Sequence, residues 1–243
     1  MLTALLALVV LAAYTTQAMI GFGANIIALT IGAHLWPLET LLPLIVALNL
    51  PLSGTLVWRH RQQIAWARLR RAIAPLLALG FVAGMAGAQW LQSQALALGF
   101  GLLVCAIAAW ELARGQAPAR AAPRWQAGGF LLLGGLAQGL YASGGPFVAY
   151  AVDRMQLGRA GFRATLLLIW LVTNSILLGS FAAAGRLDGP FALRLLAFLP
   201  LIAAGLWLGE RLHHSVSEAA FRRGLYLLLL AAGGALVLRQ LAG

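Results

Sequence analysis

Apolar residues in this chain run in blocks far longer than one face of an amphipathic helix, and polar residues gather between the blocks. From Arg71 to Glu111 no charged side chain intervenes, and before Glu39 the only interruption of that kind is His34. A bilayer span needs about 20 apolar residues, so the stretch between Arg71 and Glu111 holds two helices. The cluster Gln89, Gln92, Ser93 and Gln94 marks the turn between them. The pattern predicts apolar segments at 2–35, 38–58, 72–90 and 95–112, a polar linker at 113–126, and further segments at 127–153, 163–184, 190–209 and 218–238. The linker carries Arg114, Pro118, Arg120, Pro123 and Arg124, which suits an exposed connection.

Glycines interrupt two of these blocks at matching places. Residues 17–28 read Gln-Ala-Met-Ile-Gly-Phe-Gly-Ala-Asn-Ile-Ile-Ala, and residues 138–149 read Gln-Gly-Leu-Tyr-Ala-Ser-Gly-Gly-Pro-Phe-Val-Ala. At an offset of 121 residues Gln17 falls on Gln138, Gly23 on Gly144 and Ala28 on Ala149. Beyond the motif the offset becomes 125 and stays there: Asn49 falls on Asn174, Pro75 on Pro200, Gly80 on Gly205, Gly84 on Gly209 and Gly99 on Gly224. The chain thus reads as an N-terminal repeat, 1–112, and a C-terminal repeat, 127–243, within one transmembrane domain. The expected fold is all-α and polytopic, with two inverted repeats of four helical segments, the first of each broken or re-entrant at its glycines.

Composition agrees. The chain is 62% hydrophobic and 9% charged, against about 25% charged in a globular domain. Its net charge of +11 comes wholly from arginine, since there is no lysine. The arginines lie between apolar runs, where they orient a membrane protein and meet lipid headgroups; no contiguous basic patch supports nucleic-acid binding. If every segment spanned, eleven arginines would lie on one side and six on the other. If the first segment of each half enters and returns to its own side, the division becomes fourteen against three, which the positive-inside rule prefers. Residues 2–20 are long for a half-depth helix, so that segment must reach deep or tilt. No Lys or Arg precedes the first apolar run, which argues against a cleaved signal peptide.

A break in hydrocarbon frees backbone groups that lipid cannot satisfy, and paired breaks in two halves point to a transport site. Helices restarting after Gly23 and Gly145 would present bare N–H groups and a positive dipole end to an anion. Gly21, Gly23, Ala24, Asn25, Gly144 and Gly145, with Pro146 at a favoured first-turn position, form the expected rim. Gln17, Gln138, Tyr141 and Ser143 stand beside it, and Asn49 and Asn174 are one polar residue from each half. The plainer reading makes the glycines packing surfaces and the asparagines interhelical glue; Gly80, Gly84, Gly87, Gly205 and Gly209 read as packing faces. Pro75 and Pro200 read as paired kinks. No ionisable residue is clearly mid-span: His34, His60, His213, His214, Glu39, Glu111, Asp153, Asp188, Glu210 and Glu218 all sit at predicted segment ends. No metal-ligand cluster and no nucleophile–base pair is visible, and Cys105 is the one cysteine. No enzyme, metal or cofactor is expected.

Gly21-Phe22-Gly23 late in a first apolar segment, Asn49 in the second, and Tyr141-Ala-Ser-Gly-Gly-Pro146 in the repeat resemble the TauE/SafE family of sulfite exporters. The resemblance covers most of the chain. It implies a multi-pass secondary transporter of the bacterial inner membrane for a small sulfur-containing anion such as sulfite, thiosulfate or an organosulfonate. The expected mechanism is alternating access around a midplane site, with lipids and the anion as partners; a homo-oligomer stays open. The alternatives are a channel or transporter for another small metabolite, or a membrane scaffold without flux.

Overall fold

The computed structural model describes residues 2–90, 93–114, 123–187, 189–212 and 218–242. Most of the expected linker, and Asp188, His213 and His214, lie outside the described residues. The described residues are helical without a strand. Among the described residues six helices are long and apolar enough to cross a membrane: Leu2–Ile20, Leu38–Gln63, Trp66–Trp90, Gln94–Ala113, Gly158–Ala183 and Gly189–Leu212.

Both glycine-broken segments split into two helices. The first gives α1 (Leu2–Ile20) and α2 (Ala24–Gly32). The chain turns at Gly21 and Gly23, whose φ angles of 89° and 105° lie in the left-handed region that favours glycine. α2 folds back along α1. Its start, Gly23, lies by Thr16; a Cβ on its last residue, Gly32, would stand 3.2 Å from Leu6 Cδ1. The second segment gives α7 (Arg124–Tyr141) and α8 (Gly145–Asp153). α8 folds back in the same way: a Cβ on Gly134 would meet Val148 Cγ2 at 2.5 Å, and the rings of Phe130 and Tyr150 are 4.3 Å apart. Each broken segment is therefore a helical hairpin. At 1.5 Å per residue the first arm is about 28 Å long and the return arm about half that, so the tip reaches deep, as the length of residues 2–20 requires.

The remaining elements are α3 (Leu38–His60), a 3₁₀ turn (Arg61–Gln63), the one-turn α4 (Trp66–Arg68), a π-turn (Leu69–Ile73), α5 (Ala74–Trp90), α6 (Ser93–Arg114), α9 (Gly158–Ala183), α10 (Gly189–Leu212) and α11 (Glu218–Ala242). Pro75 enters α5 straight after the π-turn, whereas Pro200 lies inside α10. The proline pair therefore sits in two different local settings. α9 begins five residues before the expected segment, so Arg159 and Arg163 belong to a helix rather than a loop.

Glycines set the closest packing. A Cβ on Gly80 or Gly84 of α5 would stand 2.1 or 2.3 Å from the Leu132 or Leu136 carbonyl of α7, and one on Gly135 or Gly139 of α7 would meet Leu77 O or Phe81 O of α5 just as closely. On α10, Gly205 and Gly209 face Thr15 and Ala18 of α1. The packing reading of these glycines holds. The other main pairings are α3 with α9 and α6 with α11. Outward, Leu8, Leu79 and Leu193 are exposed, as are Trp58, Trp66, Trp90, Trp125 and Trp207 near helix ends. Exposed apolar flanks with tryptophan at the ends suit lipid and its interfaces.

Candidate functional site

The two hairpin tips meet. A Cβ on Gly145 would lie 3.4 Å from Phe22 Cδ2 and 4.0 Å from the Gly23 nitrogen. Neither α2, capped by Gly23, nor α8, capped by Gly144, receives a side-chain cap. Their first N–H groups lack helical acceptors, although Pro146 removes one donor from α8. Between the tips is a cavity of about 20 Å³, room for about one water. Gln17, Gly23, Asn25, Asn49, Gln138, Ser143 and Gly145 line it, so these expected site residues come together. Ile26, Ala142 and Trp170 complete the wall, and no charged side chain lines it.

A buried network holds the first hairpin. Asn49 Nδ2 donates to Gln17 Oε1 at 2.9 Å and to Asn25 Oδ1 at 3.0 Å. Ser53 Oγ, one turn on from Asn49, donates to Asn49 Oδ1 at 2.7 Å, and Gln17 Nε2 donates to Ser53 Oγ at 3.3 Å. Asn25 Nδ2 then crosses to the other tip and donates to the Ala142 carbonyl at 2.9 Å. Each such bond in a membrane interior contributes about 0.6–2 kcal/mol.

The second hairpin is held differently. Gln138 Nε2 donates to Asn174 Oδ1 at 3.0 Å and to Thr173 Oγ1 at 3.2 Å, and its Oε1 accepts the Gly144 N–H at 3.1 Å. Asn174 is fully buried, yet its Nδ2 has no partner; the Ser143 hydroxyl, also buried, has none either. Sequence explains the difference. At the offset of 121 residues Pro146 stands where Asn25 stands, so the acceptor that Asn49 enjoys is missing for Asn174. Leu178 replaces Ser53 at the offset of 125.

The other expected residues lie around this core. Ala24 is fully buried in the first turn of α2. Gly144 is pressed against α7, where a Cβ would meet the Gly134 carbonyl at 2.0 Å. Asn174 lies behind Gln138 and does not line the cavity. Tyr141 faces α6, its ring 5.4 Å from Phe100 and its hydroxyl against Gly99, and does not line the cavity either.

Sequence reasoning missed three contributors. Ser53 had a signal, its i+4 spacing from Asn49. Trp170 Nε1 donates to the Gly21 carbonyl at 3.0 Å, and Arg163 Nη2 donates to the Ala18 carbonyl. Both reach the first tip from α9, and no local pattern announces that. Glu111 lies in the last turn of α6, at a segment end as expected, and is buried there, whereas Arg163, which the arginine count places in a loop, lies within α9.

The profile described as "Sulfite exporter TauE/SafE" matches residues 6–236. The chain belongs to the TauE/SafE family. TauE/SafE proteins are membrane transporters, so the paired hairpins here belong to a transporter and not to an enzyme. Among similar proteins is one from Comamonas testosteroni named "Probable inner membrane transporter protein TsaS", 32% identical over 198 residues, which cover 78% of this chain and 80% of that protein. Another, from Cupriavidus necator, is named "Probable sulfite/organosulfonate exporter TauE"; it is 27% identical over 227 residues, 91% of this chain and 88% of that one. No solved structure gives a significant match to this TauE/SafE chain.

Proposed function

We propose that this protein is an inner-membrane secondary transporter of a small sulfur-containing oxyanion, sulfite or an organosulfonate, that binds between the hairpin tips. The observation that carries the reading is the meeting of two uncapped helix N-termini over one buried, uncharged, amide-lined cavity. Amide donors and helix dipoles suit an anion, and the orphan Ser143 hydroxyl supplies a further group at the wall. The name of the Cupriavidus necator relative agrees with the substrate class, and that of the Comamonas testosteroni relative with an inner-membrane transporter.

We infer further that residues 1–112 and 127–243 are inverted repeats. Exchanging the halves converts the α5–α7 packing into α10–α1 and returns α3–α9 and α6–α11 to themselves. That exchange pattern and the arginine count support a first hairpin opening to the arginine-poor side and a second opening to the arginine-rich, cytoplasmic side. The cavity is too small for an XO₃ group, so the present shape corresponds to a contracted state. The halves would rock around the tips, opening the site to each side in turn. Reconstituted protein should exchange radiolabelled sulfite across liposomes. Folded protein that moves neither sulfite nor any sulfonate would refute the reading.

A further inference from the structure

Arg163 has a setting that neither orientation nor packing explains. It lies six residues into α9, inside a segment long and apolar enough to span the membrane. Its Nη2 donates to the Ala18 carbonyl at the end of α1, while its Nε is buried without any hydrogen-bond partner. Among the described residues Arg163 makes no direct ion pair: the carboxylate whose charge reaches it, Glu210, is bonded to Arg59 instead. A cation in such surroundings is costly and marks an ion path by default.

The first tip is shaped around this side chain. A Cβ on Gly21 would stand 3.0 Å from Arg163 Cγ. Ala142 holds the matching place in the second tip, at an offset of 121 residues, with a left-handed φ of 51°. Alanine thus stands in the second tip, whereas Gly21 has the more positive φ of 89° and the arginine stem also takes the space there. Capping the end of α1 does not call for a cation either, since Trp170 already holds the Gly21 carbonyl with a neutral donor. On the opposite side Leu38 holds the position matching Arg163, at an offset of 125 residues, so the charge is one-sided.

We propose that Arg163 is a second station for the anion, on the arginine-rich side of the first tip. This rests on the transport reading above. A guanidinium presents Nε and Nη2 as a fork that matches two oxygens of an XO₃ head, which an ammonium cannot reproduce. As the anion reaches it, Nη2 exchanges the Ala18 carbonyl for a substrate oxygen and Nε gains the partner it lacks. The released carbonyl frees the first tip, so arrival of the substrate and loosening of the hairpin are one event.

The test is sulfite flux in liposomes containing the full chain, its R163Q and R163K variants, and wild type. R163Q should raise the KM for sulfite about tenfold or more. R163K, which keeps the charge but not the fork, should raise it about threefold, both with kcat little changed. R163K alone decides the matter if R163Q does not fold. Either variant, folded, with the wild-type KM overturns the assignment, and so does a fall in kcat at unchanged KM, the mark of a merely structural role. Flux by wild type with unaltered variants removes Arg163 but leaves the transport reading standing. Wild type that moves no oxyanion removes both.

Discussion

Asn49 and Asn174 occupy matched positions, but one amide is saturated and the other is not. Asn49→Ala strips partners from Gln17, Asn25 and Ser53 together, and buried polar groups left unpaired cost about 1–3 kcal/mol each. Asn174→Ala removes one acceptor from Gln138, which keeps Thr173, and deletes a donor that was already idle. Melting of the detergent-solubilised variants should therefore show a clearly larger loss for Asn49→Ala; equal losses would contradict the network described. Pro146→Asn places an amide where Asn25 has one. It should give Asn174 Nδ2 an acceptor, raising the melting temperature while slowing sulfite flux, and a fall in melting temperature would count against the orphan donor. The equivalence of the two asparagines was readable from a constant offset along the chain. Their inequality has its cause in the sequence, Pro146 and Leu178 standing where the first half has Asn25 and Ser53, but only the structure shows that Asn25 and Ser53 are the partners of Asn49.

At the scale of elements, the hairpins and their glycine contacts decide what can change. Gly139→Ala puts a methyl 2.3 Å from the Phe81 carbonyl, where only backbone can move. Gly129→Ala, on the same helix, meets nothing within 4 Å and recovers up to about 1 kcal/mol of helix propensity. The first should abolish extraction of folded protein, and the second should leave it unchanged or improve it, as size-exclusion profiles would show. Gly21→Ala combines a left-handed φ with crowding of Arg163 and should cost about 1–3 kcal/mol. The breaks were legible because glycines interrupt long apolar runs, and they fell where expected. That each broken segment doubles back was only one of two readings, because apolar runs of either topology look alike in lipid. The earlier start of α9 was hidden for a related reason: Arg159 and Arg163 carry the polarity of a loop, but helices end where hydrogen bonds end and not where charge begins.

The whole molecule follows the arginines in a way that one residue at a time does not. Arg59 and Glu210 pair, and the Ala65 N–H donates to Thr165, so the ends of α3, α9 and α10 that carry most of the positive charge lie together. Membrane character was plain from charge-free stretches alone. The partners of each helix were not, because glycine–backbone contacts between distant segments leave no signature beyond small residues at helical spacing.

Those contacts cross the middle of the chain. α5 holds α7, and α10 holds α1, so each half grips the broken hairpin of the other. A gene divided within 115–122 should therefore yield two polypeptides that accumulate only when produced together, and stable accumulation of either alone would contradict the cross-grip. Such wiring also works as an interlock. If the halves rock as proposed above, any swing that withdraws one plug drives its counterpart home, and a membrane that must hold its ion gradients is spared a moment when both doors stand ajar.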